Sequence, residues 1–497
     1  MALPEWVAKH KRTGYEIKEI RGNYYMYRLK SAWDPKRKKA RKVSGEYIGK
    51  VTEEGIVPKR ERIAADTEVF SLEYGASALA AMIGKDLLEG LREHFAARTA
   101  ERIWAVAMLR LSSPSPFSRM AMRYESAWMC QMLPGLALSQ ASMSELLDTV
   151  GNSRGACAAF MRETAAPSPY YLIDGTRCVS RSENILRAEL GYTKTHRGLA
   201  QLNQVYIVGT GSENTSMPVF YRNVAGNVPD VTALKLTLED AGIKGATLIG
   251  DAGFASDDNF RLLSAAGLSY IVPLKRNTQE ADLSAVAYEE VFSYHHRTIW
   301  AHSEVKEGYR ICAFRDEKLR SEEMTDFVER AEKANATTSS KKGFDPKRDR
   351  LRDVAGEALA HGGQFGVIVM RTTLMEASLK EVYMAYKMRW EIEQLFDTMR
   401  NTCESDTSYM HDDAGFEAWS FIGHVTLLVA CRILAVLRAR ELTSKWSLAG
   451  VMDHLSRVHA VKVGDNWRLA ECVKKTRDLA AELGLELAAG SGLLPKL

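Results

Sequence analysis

The spacing of apolar residues changes several times along the chain, and each change predicts a different kind of element. In "YEIKEIRGNYYMYRLKSAW", apolar and polar residues alternate on either side of Arg21-Gly22-Asn23, which predicts two strands joined by a hairpin turn. From about Thr67 to Ala165 the apolar spacing is helical, as in "ASALAAMIGKDLLEGLREHF", "AERIWAVAMLRL" and "SMSELLDTV". We therefore expect a strand-rich module followed by a helical domain.

Strands and helices alternate in the next part of the chain. Tyr170 to Ile173 predicts a short strand that ends at Asp174-Gly175, and "GATLIGDAGF" predicts an apolar strand that ends at Asp251. Two strands around a Gly-Thr-Gly turn lie between them, and the strand "SYIVPLKRN" follows. This order indicates a mixed α/β sheet.

A stretch of different character interrupts this pattern. Residues 277–365 combine alternating β character with a charged helix and a polar, basic loop, which indicates an insertion. The strand "QFGVIVMRTT" then returns the chain to the sheet and precedes the helix "YKMRWEIEQLFDTMR".

These changes predict six segments. They are a basic strand-rich module (1–66), a helical domain (67–166), the first part of the core (167–276), the β-rich insertion (277–365), the second part of the core with its carboxylate-bearing helix (366–440), and a helical C-terminal region suited to dimerisation or packing (441–497).

Composition excludes several classes of protein. A chain of 497 residues with 46% hydrophobic and 26% charged residues is typical of globular proteins with several domains. The most apolar run, "FIGHVTLLVACRILAVLRAR", is interrupted by His424 and Arg432, which favours a buried helix over a membrane span. Seven cysteines without a CxxC pair and eleven histidines without ligand spacing argue against disulfides and zinc. We expect a cytoplasmic protein without a membrane partner.

Positive charge is concentrated at the start of the chain. Residues 1–62 hold 17 Lys or Arg against 8 Asp or Glu, although the net charge of the whole chain is only +4. The densest part is "DPKRKKARK", in which Lys36, Arg37, Lys38 and Lys39 are candidate contacts for a polyanion such as DNA. We therefore expect the module of residues 1–66 to bind DNA together with the helical domain of residues 67–166, and a merely solvated basic terminus is the alternative.

The helix "YKMRWEIEQLFDTMR" carries a narrow polar stripe. At about 100° per residue, Tyr386, Arg389, Glu393 and Arg400 fall within an arc of roughly 60°, with Asp397 at its border. Such a stripe is either an ordinary solvated face with intrahelical ion pairs or a set of groups gathered over one substrate.

Three carboxylates are candidates for a metal site. Asp174 and Asp251 end predicted strands, where open α/β sheets bind ligands, and Glu393 offers a third carboxylate. An all-oxygen set suits Mg²⁺ or Mn²⁺, and two ions about 3.5–4 Å apart can activate an attacking oxygen and stabilise the leaving oxygen of a phosphodiester. Taken singly, either aspartate also fits a turn or a helix cap.

Together these residues carry a resemblance to a known family. The chain resembles the insertion-sequence DDE transposases of the insertion-sequence-4-like superfamily, which has a Y-x2-R-x3-E-x6-K signature. Tyr386, Arg389 and Glu393 match that signature, and Arg400 stands in place of its lysine. "LIDGT" and "GDAGF" resemble the two aspartate motifs of the family, and the order of strands, insertion and helix is also similar.

The resemblance implies a fold, a reaction and partners. The fold is an RNase H-like core, a mixed sheet flanked by helices and interrupted by a β-rich insertion. Asp174, Asp251 and Glu393 would hold two Mg²⁺ ions, for which Mn²⁺ can substitute. The reaction is hydrolytic cleavage at the ends of a bacterial insertion sequence, followed by attack of the 3′-OH on target DNA. The implied partners are double-stranded DNA and a second copy of the chain on paired ends, in a cytoplasmic protein associated with the nucleoid when active.

Further DNA contacts are expected outside the stripe. Trp300, in "HHRTIWAH", is a candidate to stack on a displaced base, although strand tryptophans commonly belong to the core. Lys275 and Arg276 follow the strand "YIVPL" and are candidate phosphate contacts, or simply solvated charges at a strand end.

Two other functions remain open from the sequence. A related two-metal DNA nuclease would cut without transferring strands. A non-catalytic DNA-binding protein derived from a transposase would bind without cutting, although all three carboxylates are present here.

Overall fold

A computed structural model describes most of the chain. The described residues are 3–34, 38–58, 68–112, 115–190, 200–211, 216–226, 230–276, 278–281, 287–340, 351–403, 407–464 and 466–487. The chain forms two compact units, one of residues 1–70 with 463–466 and the other of residues 71–462 with 467–497.

The first unit is a small antiparallel sheet with a short helix. Its described elements are α1 (Glu5–Ala8), β1 (Tyr15–Ile20), β2 (Asn23–Asp34), β3 (Lys39–Thr52) and β4 (Gly55–Pro58), with the strands in the order β1-β2-β3-β4. The predicted hairpin turn is confirmed, because Arg21 and Gly22 have φ of 51° and 75° and Ile20 pairs with Asn23. A small core of Val7, Met26 and Val51 holds the unit together.

The next elements along the chain are a strand and a layer of helices. These elements are β5 (Val69–Glu73), α2 (Gly75–His94), α3 (Ala97–Ser112), α4 (Met120–Ser126), α5 (Met129–Met132), α6 (Gln140–Gly151) and α7 (Arg154–Thr164). The three helices predicted from apolar spacing correspond to α2, α3 and α6. Their apolar faces contribute to the main hydrophobic core, in which Trp104 and Phe160 are among the largest fully buried side chains.

The main sheet contains eleven of the described strands. They are β6 (Tyr170–Ser180), β7 (Glu189–Leu190), β8 (Ala200–Thr210), β9 (Ser216–Ala225), β10 (Thr247–Ile249), β11 (Ser269–Pro273), β12 (Glu290–Tyr294), β13 (Arg297–Lys306), β14 (Tyr309–Asp316), β15 (Val367–Thr372) and β16 (Thr407–Ser408). The order is β12-β13-β14-β15-β11-β10-β6-β8-β7, with β9 on β8 and β16 on β6. The sheet is mixed, as predicted, because β10 runs parallel to both β6 and β11 whereas β8 and β15 are antiparallel to their neighbours.

Helices connect and cover this sheet. They are α8 (Asp230–Ala241), α9 (Asp257–Ala265), α10 (Glu317–Ser339), α11 (Val354–His361), α12 (Leu379–Lys387), α13 (Trp390–Cys403) and α14 (Asp413–Ala439). The expected insertion, residues 277–365, is only partly β-structure, since it contains α10 and α11. Its strands extend the main sheet, because β14 pairs with β15 along its length.

Helix α14 is the central helix of the unit. It is long and apolar enough to cross a membrane, with a mean hydropathy of 2.0 over an 18-residue window, but 72% of that window is buried inside the protein. Its buried Glu417 accepts hydrogen bonds from Arg154 Nη1 at 3.0 Å and Asn223 Nδ2 at 3.0 Å, so the helix is tied to α7 and β9 by satisfied polar contacts.

The last elements of the described residues are α15 (Leu448–Leu455), β17 (His459–Val463), β18 (Asn466–Leu469) and α16 (Lys474–Glu482). The strands form a second small sheet in the order β18-β17-β5. Helices α15 and α16 bury Leu455 and Leu479 in the main hydrophobic core. The expected helical C-terminal region therefore also contains two strands.

His424 on α14 makes the stability of the fold sensitive to acid. Its ring is fully buried against Tyr206 and Tyr221, and neither ring nitrogen has a hydrogen-bond partner among the described residues. Burial lowers the pKa of His424 to about 3. An unfolded histidine titrates near pH 6.5, so below that pH the unfolded chain binds a proton that the folded chain does not.

We expect the free energy of unfolding to fall by about 2 kcal/mol between pH 6.5 and pH 5 because of this one group. The His424→Phe variant keeps a ring beside the two tyrosines and should lose that part of the pH dependence in urea unfolding. His361→Phe, at an exposed histidine, is the matched control. Equal pH dependence in the wild type and His424→Phe would contradict this assignment.

Candidate active site

Two adjacent parallel strands bring Asp174 and Asp251 together. Leu172 on β6 pairs with Ile249 on β10, so the positions two residues further along, 174 and 251, lie at the same level of the sheet. Asp251 follows the end of β10, as predicted, and begins the turn Ala252–Phe254. The carboxyl end of β10 therefore forms one wall of the candidate site.

The prediction that the first strand ends at Asp174 is wrong. Strand β6 continues to Ser180, because Gly175 to Val179 pair with the antiparallel strand β8. The Asp-Gly dipeptide does not turn the chain where a partner strand satisfies its backbone. Asp174 thus lies within a long strand and faces the end of the much shorter β10.

Backbone hydrogen bonds orient both aspartates. Asp174 Oδ1 accepts from the amide of Gly175 at 2.8 Å, and Asp251 Oδ1 accepts from the amide of Gly253 at 2.7 Å. Asp251 therefore does act as a cap, the structural role considered from sequence. The other oxygen of each carboxylate, Oδ2, contacts Arg389.

Helix α13 supplies Glu393 from its first turn. The helix buries Ile392, Leu395, Phe396 and Met399, an i, i+3, i+4, i+7 pattern that fixes its orientation on the core. Glu393 lies beside this apolar face with its side chain 56% exposed. A carboxylate in the first turn is also favoured by the helix dipole.

The helix predicted over "YKMRWEIEQLFDTMR" is broken. Helix α12 ends at Lys387 and α13 begins at Trp390. Between them the backbone tightens to i→i−3 hydrogen bonds, from Arg389 N to Tyr386 O at 3.0 Å and from Ile392 N to Arg389 O at 3.1 Å. The expectation of one continuous polar stripe is therefore wrong, and Arg389 lies at the break.

Arg389 contacts all three carboxylates. Its Nη2 donates to Asp174 Oδ2 at 2.9 Å and lies 3.9 Å from Asp251 Oδ2, and its Nη1 lies 3.5 Å from Glu393 Oε1. Arg389 and Asp174 are 22% and 18% exposed. Arg389 Nε is buried without a hydrogen-bond partner among the described residues. A single guanidinium thus holds the acidic groups together.

The pKa directions agree with this arrangement. Burial raises the pKa of Asp174, the Arg389 charge opposes the rise, and the nearby Asp251 adds to it. Burial alone would lower the pKa of Arg389, but Asp174 and the other neighbours outweigh it and the pKa is raised. Burial also raises the pKa of Tyr386, next to Arg389. The site is a partly desolvated cluster organised around positive charge.

This donor set fits a hard divalent cation. Asp174, Asp251 and Glu393 offer only oxygen atoms, and they already surround one cationic group. Their ligand atoms are spread around Arg389. Among the described residues, the one group of His, Cys, Asp or Glu ligands within 4.8 Å of one another is Glu93, His94 and Glu163, at the ends of α2 and α7.

The remaining candidates around the site have different surroundings. Arg400 pairs with Asp397 on the same helix, and no described contact joins it to the three carboxylates. Lys275 and Arg276 follow β11 and line a cavity of 540 Å³ together with Asp251 and Arg389. Arg276 also pairs with Glu323 at 2.9 Å.

The structure does not bring Trp300 to the carboxylates. It lies on β13, four strand positions from β10, a separation of roughly 19 Å. Its half-buried ring lies 5.9 Å from the Arg315 guanidinium. Trp300 is far from the carboxylates because β13 lies next to β12, the edge strand of the main sheet.

The basic N-terminal candidates fall in the first unit. Lys38 and Lys39 are exposed at the start of β3. Lys36 and Arg37 lie outside the described residues.

Sequence reasoning missed a second cavity beside the helix break. It has a volume of 790 Å³ and includes Tyr383, Lys387 and Trp390 in its lining. The Trp390 side chain is 60% exposed although it immediately follows Arg389. The sequence feature that could have indicated this cavity is Trp390, an apolar residue at the border of the polar stripe.

A family comparison covers this site. Residues 172–429 match the family model described as "Transposase DDE domain", which is more than half of the chain and includes all three carboxylates. The chain belongs to this DDE transposase family. No curated protein matches the sequence.

One solved structure is distantly similar to this chain. The structure titled "Cryo-EM structure of piggyBac transposase synaptic complex with hairpin DNA (SNHP)" shares 10% identity with it, over 76% of this chain and 70% of that chain, with a TM-score of 0.38. Similarity at that level does not define the fold of this transposase.

The contacts of Arg389 predict how Mn²⁺ changes the thermal stability of the protein. In Arg389→Ala the three carboxylates face one another without their cation, and we expect the apo protein to lose about 2 kcal/mol of stability. Added Mn²⁺ should then raise the melting temperature of Arg389→Ala more than that of the wild type. Differential scanning fluorimetry in chelator and in Mn²⁺ measures both effects.

Arg400→Ala is the matched control, because it removes a guanidinium from α13, the helix that follows Arg389, without uncovering the three carboxylates. An equal response to Mn²⁺ in wild type, Arg389→Ala and Arg400→Ala would show that Arg389 does not occupy the cation position.

Proposed function

We propose that the protein is the transposase of a bacterial insertion sequence of the insertion-sequence-4-like superfamily. It cleaves DNA strands at the element ends and joins the freed 3′-OH to target DNA. The observation that carries this proposal is the convergence of Asp174, Asp251 and Glu393 on Arg389, inside the segment that matches the transposase family.

The carboxylates are assigned to two Mg²⁺ or Mn²⁺ ions. Asp174, Asp251 and Glu393 hold them through oxygen atoms, as hard divalent cations require. When bound, such ions supply activation of the attacking oxygen and stabilisation of the leaving oxygen of the phosphodiester. The amides of Gly175 and Gly253 keep the two aspartates in fixed orientations, which supports the assignment.

Arg389 has two tasks in this proposal. It offsets part of the negative charge of the three carboxylates in the apo protein, and its planar fork is suited to binding phosphate oxygens when DNA is present. Tyr386, partly buried beside it, offers a hydroxyl donor to the same phosphate. Lys275 and Arg276 flank the 540 Å³ cavity next to Asp251 and are assigned to the DNA backbone.

An RNase H-like core is supported by the centre of the sheet. In chain order, β6, β8 and β9 are antiparallel neighbours, and β10 and β11 lie on the other side of β6 and run parallel to it. The first of these strands carries Asp174, and Asp251 follows the fourth. Strand β15 then leads through α12 to the helix that carries Glu393.

Double-stranded DNA is the proposed partner, both as element ends and as target. A homodimer on paired ends and a cytoplasmic, nucleoid-associated location belong to the same proposal. We assign residues 441–497 to packing, since α15 and α16 bury Leu455 and Leu479 in the main core.

The carboxylates can be tested by conservative substitution. We expect Asp174→Asn, Asp251→Asn and Glu393→Gln each to reduce strand cleavage by at least about 10³-fold, because each removes a charged metal ligand, while DNA binding is largely kept. The assay uses labelled DNA with both element ends and runs in Mg²⁺, Mn²⁺ or chelator. Asp258→Asn, at an exposed carboxylate on α9, is the control and should cleave normally.

Three outcomes separate the alternatives. Cleavage followed by joining to a target duplex supports the transposase. Cleavage without joining supports a two-metal nuclease. End-specific binding without cleavage in either metal supports a non-catalytic DNA-binding protein. Independently of these three outcomes, full cleavage activity of Glu393→Gln would contradict the assignment of Glu393 as a metal ligand.

A further inference from the structure

The hairpin of β2 and β3 extends beyond the rest of its sheet. Strand β1 pairs with β2 only as far as Arg28, and β4 pairs with β3 only over Gly49 to Thr52. From the pair Lys30–Val43 to the pair Asp34–Lys39, the two strands pair with each other alone among the described strands. We call residues 30–34 and 39–43 the ribbon. At about 3.3 Å per residue it is roughly 17 Å long.

The ribbon carries cations on both of its faces. Side chains alternate along each strand, so Lys30, Arg41 and Lys39 lie on one face and Lys42 lies on the other. All four are exposed. The sequence of the ribbon has these four cationic residues and one carboxylate residue, Asp34, so its net charge is positive and suits a polyanion.

An exposed tryptophan distinguishes the ribbon from a solvated basic hairpin. Trp33 pairs with Ala40, lies on the same face as Ser31 and Lys42, and is 65% exposed. Lysines alone are explained as protection of strand edges against aggregation. A large indole left in water has the opposite effect, and a two-stranded hairpin without further packing is only marginally stable. Both features are explained if a partner covers the ribbon.

We propose that the ribbon enters the major groove of double-stranded DNA, with the face of Trp33 and Lys42 towards the base edges. The major groove is about 12 Å wide and accepts a two-stranded β-ribbon. The long side chains of Lys39 and Arg41 then reach phosphates on the groove walls. The choice of DNA as the partner rests on the proposed function.

The test measures DNA binding by the full chain in chelator, where cleavage does not interfere. Fluorescence anisotropy with a labelled element-end duplex, from 0.05 to about 0.4 M salt, compares Arg41→Ala/Lys42→Ala with Arg12→Ala/Lys50→Ala. Each double variant removes one exposed arginine and one exposed lysine from the first unit, but only the first pair lies on the ribbon. Matching circular dichroism spectra check that all variants are folded.

For Arg41→Ala/Lys42→Ala we expect the slope of log K against log salt to become shallower by about 2 and the affinity at 0.1 M salt to fall roughly 10- to 100-fold. The control pair should change neither quantity. Trp33→Ala should weaken binding several-fold without changing the slope, since the indole carries no charge.

Equal losses in both double variants would mean a general attraction by the basic unit and would overturn the proposal. An unchanged slope in Arg41→Ala/Lys42→Ala, or tighter binding of single-stranded than of duplex DNA, would overturn it too. The proposed role of the carboxylates is tested separately, by strand cleavage in Mn²⁺. A negative result there is therefore distinct from a negative result for DNA binding by the ribbon.

Discussion

The structure of the candidate active site depends on one arginine among three carboxylates. Partly buried carboxylates repel one another and lose hydration, so their convergence requires a compensating cation. Arg389 is that cation, within 2.9–3.9 Å of Asp174, Asp251 and Glu393. The break between α12 and α13 lets a residue from the connecting turn reach both strands, while α13 keeps its apolar face on the core.

Short local sequence patterns predicted which carboxylates lie together and where several helices form. The Tyr386–Arg389–Glu393 spacing and the two aspartate motifs identified residues that share one guanidinium, and apolar spacing predicted the helices α2, α3 and α6. These features depend on neighbours in sequence. Asp251 followed its strand as expected, because a strand as short as β10 ends where its apolar residues end.

Long-range pairing decided the features that sequence reasoning missed. Strand β6 passes through Asp174-Gly175 because β8, more than twenty residues later, pairs with it. The insertion strands join the main sheet through β14 and β15, which carries Trp300 away from the carboxylates. The helix break is equally hidden, because "YKMRWEIEQLF" contains no proline or glycine to mark it. Arg400 falls on the predicted stripe only if one regular helix continues from Tyr386 through that break.

Two parts of the chain have properties suited to DNA, and they differ physically. Around Arg389 one guanidinium lies among three carboxylates in a partly buried site, and this excess of negative charge suits divalent cations. On the ribbon the net charge is positive and the cationic side chains are exposed, which suits sequence-independent attraction together with contacts in the groove.

The most direct test of the central claim is a Mn²⁺ titration followed by electron paramagnetic resonance, with the full chain bound to element-end DNA. The account predicts two bound Mn²⁺ ions per chain in the wild type, and loss of at least one of them in Asp251→Asn while the DNA remains bound. Mn²⁺ binding that is absent in the wild type, or the same in the wild type and Asp251→Asn, would contradict the assignment of these carboxylates as the catalytic metal site.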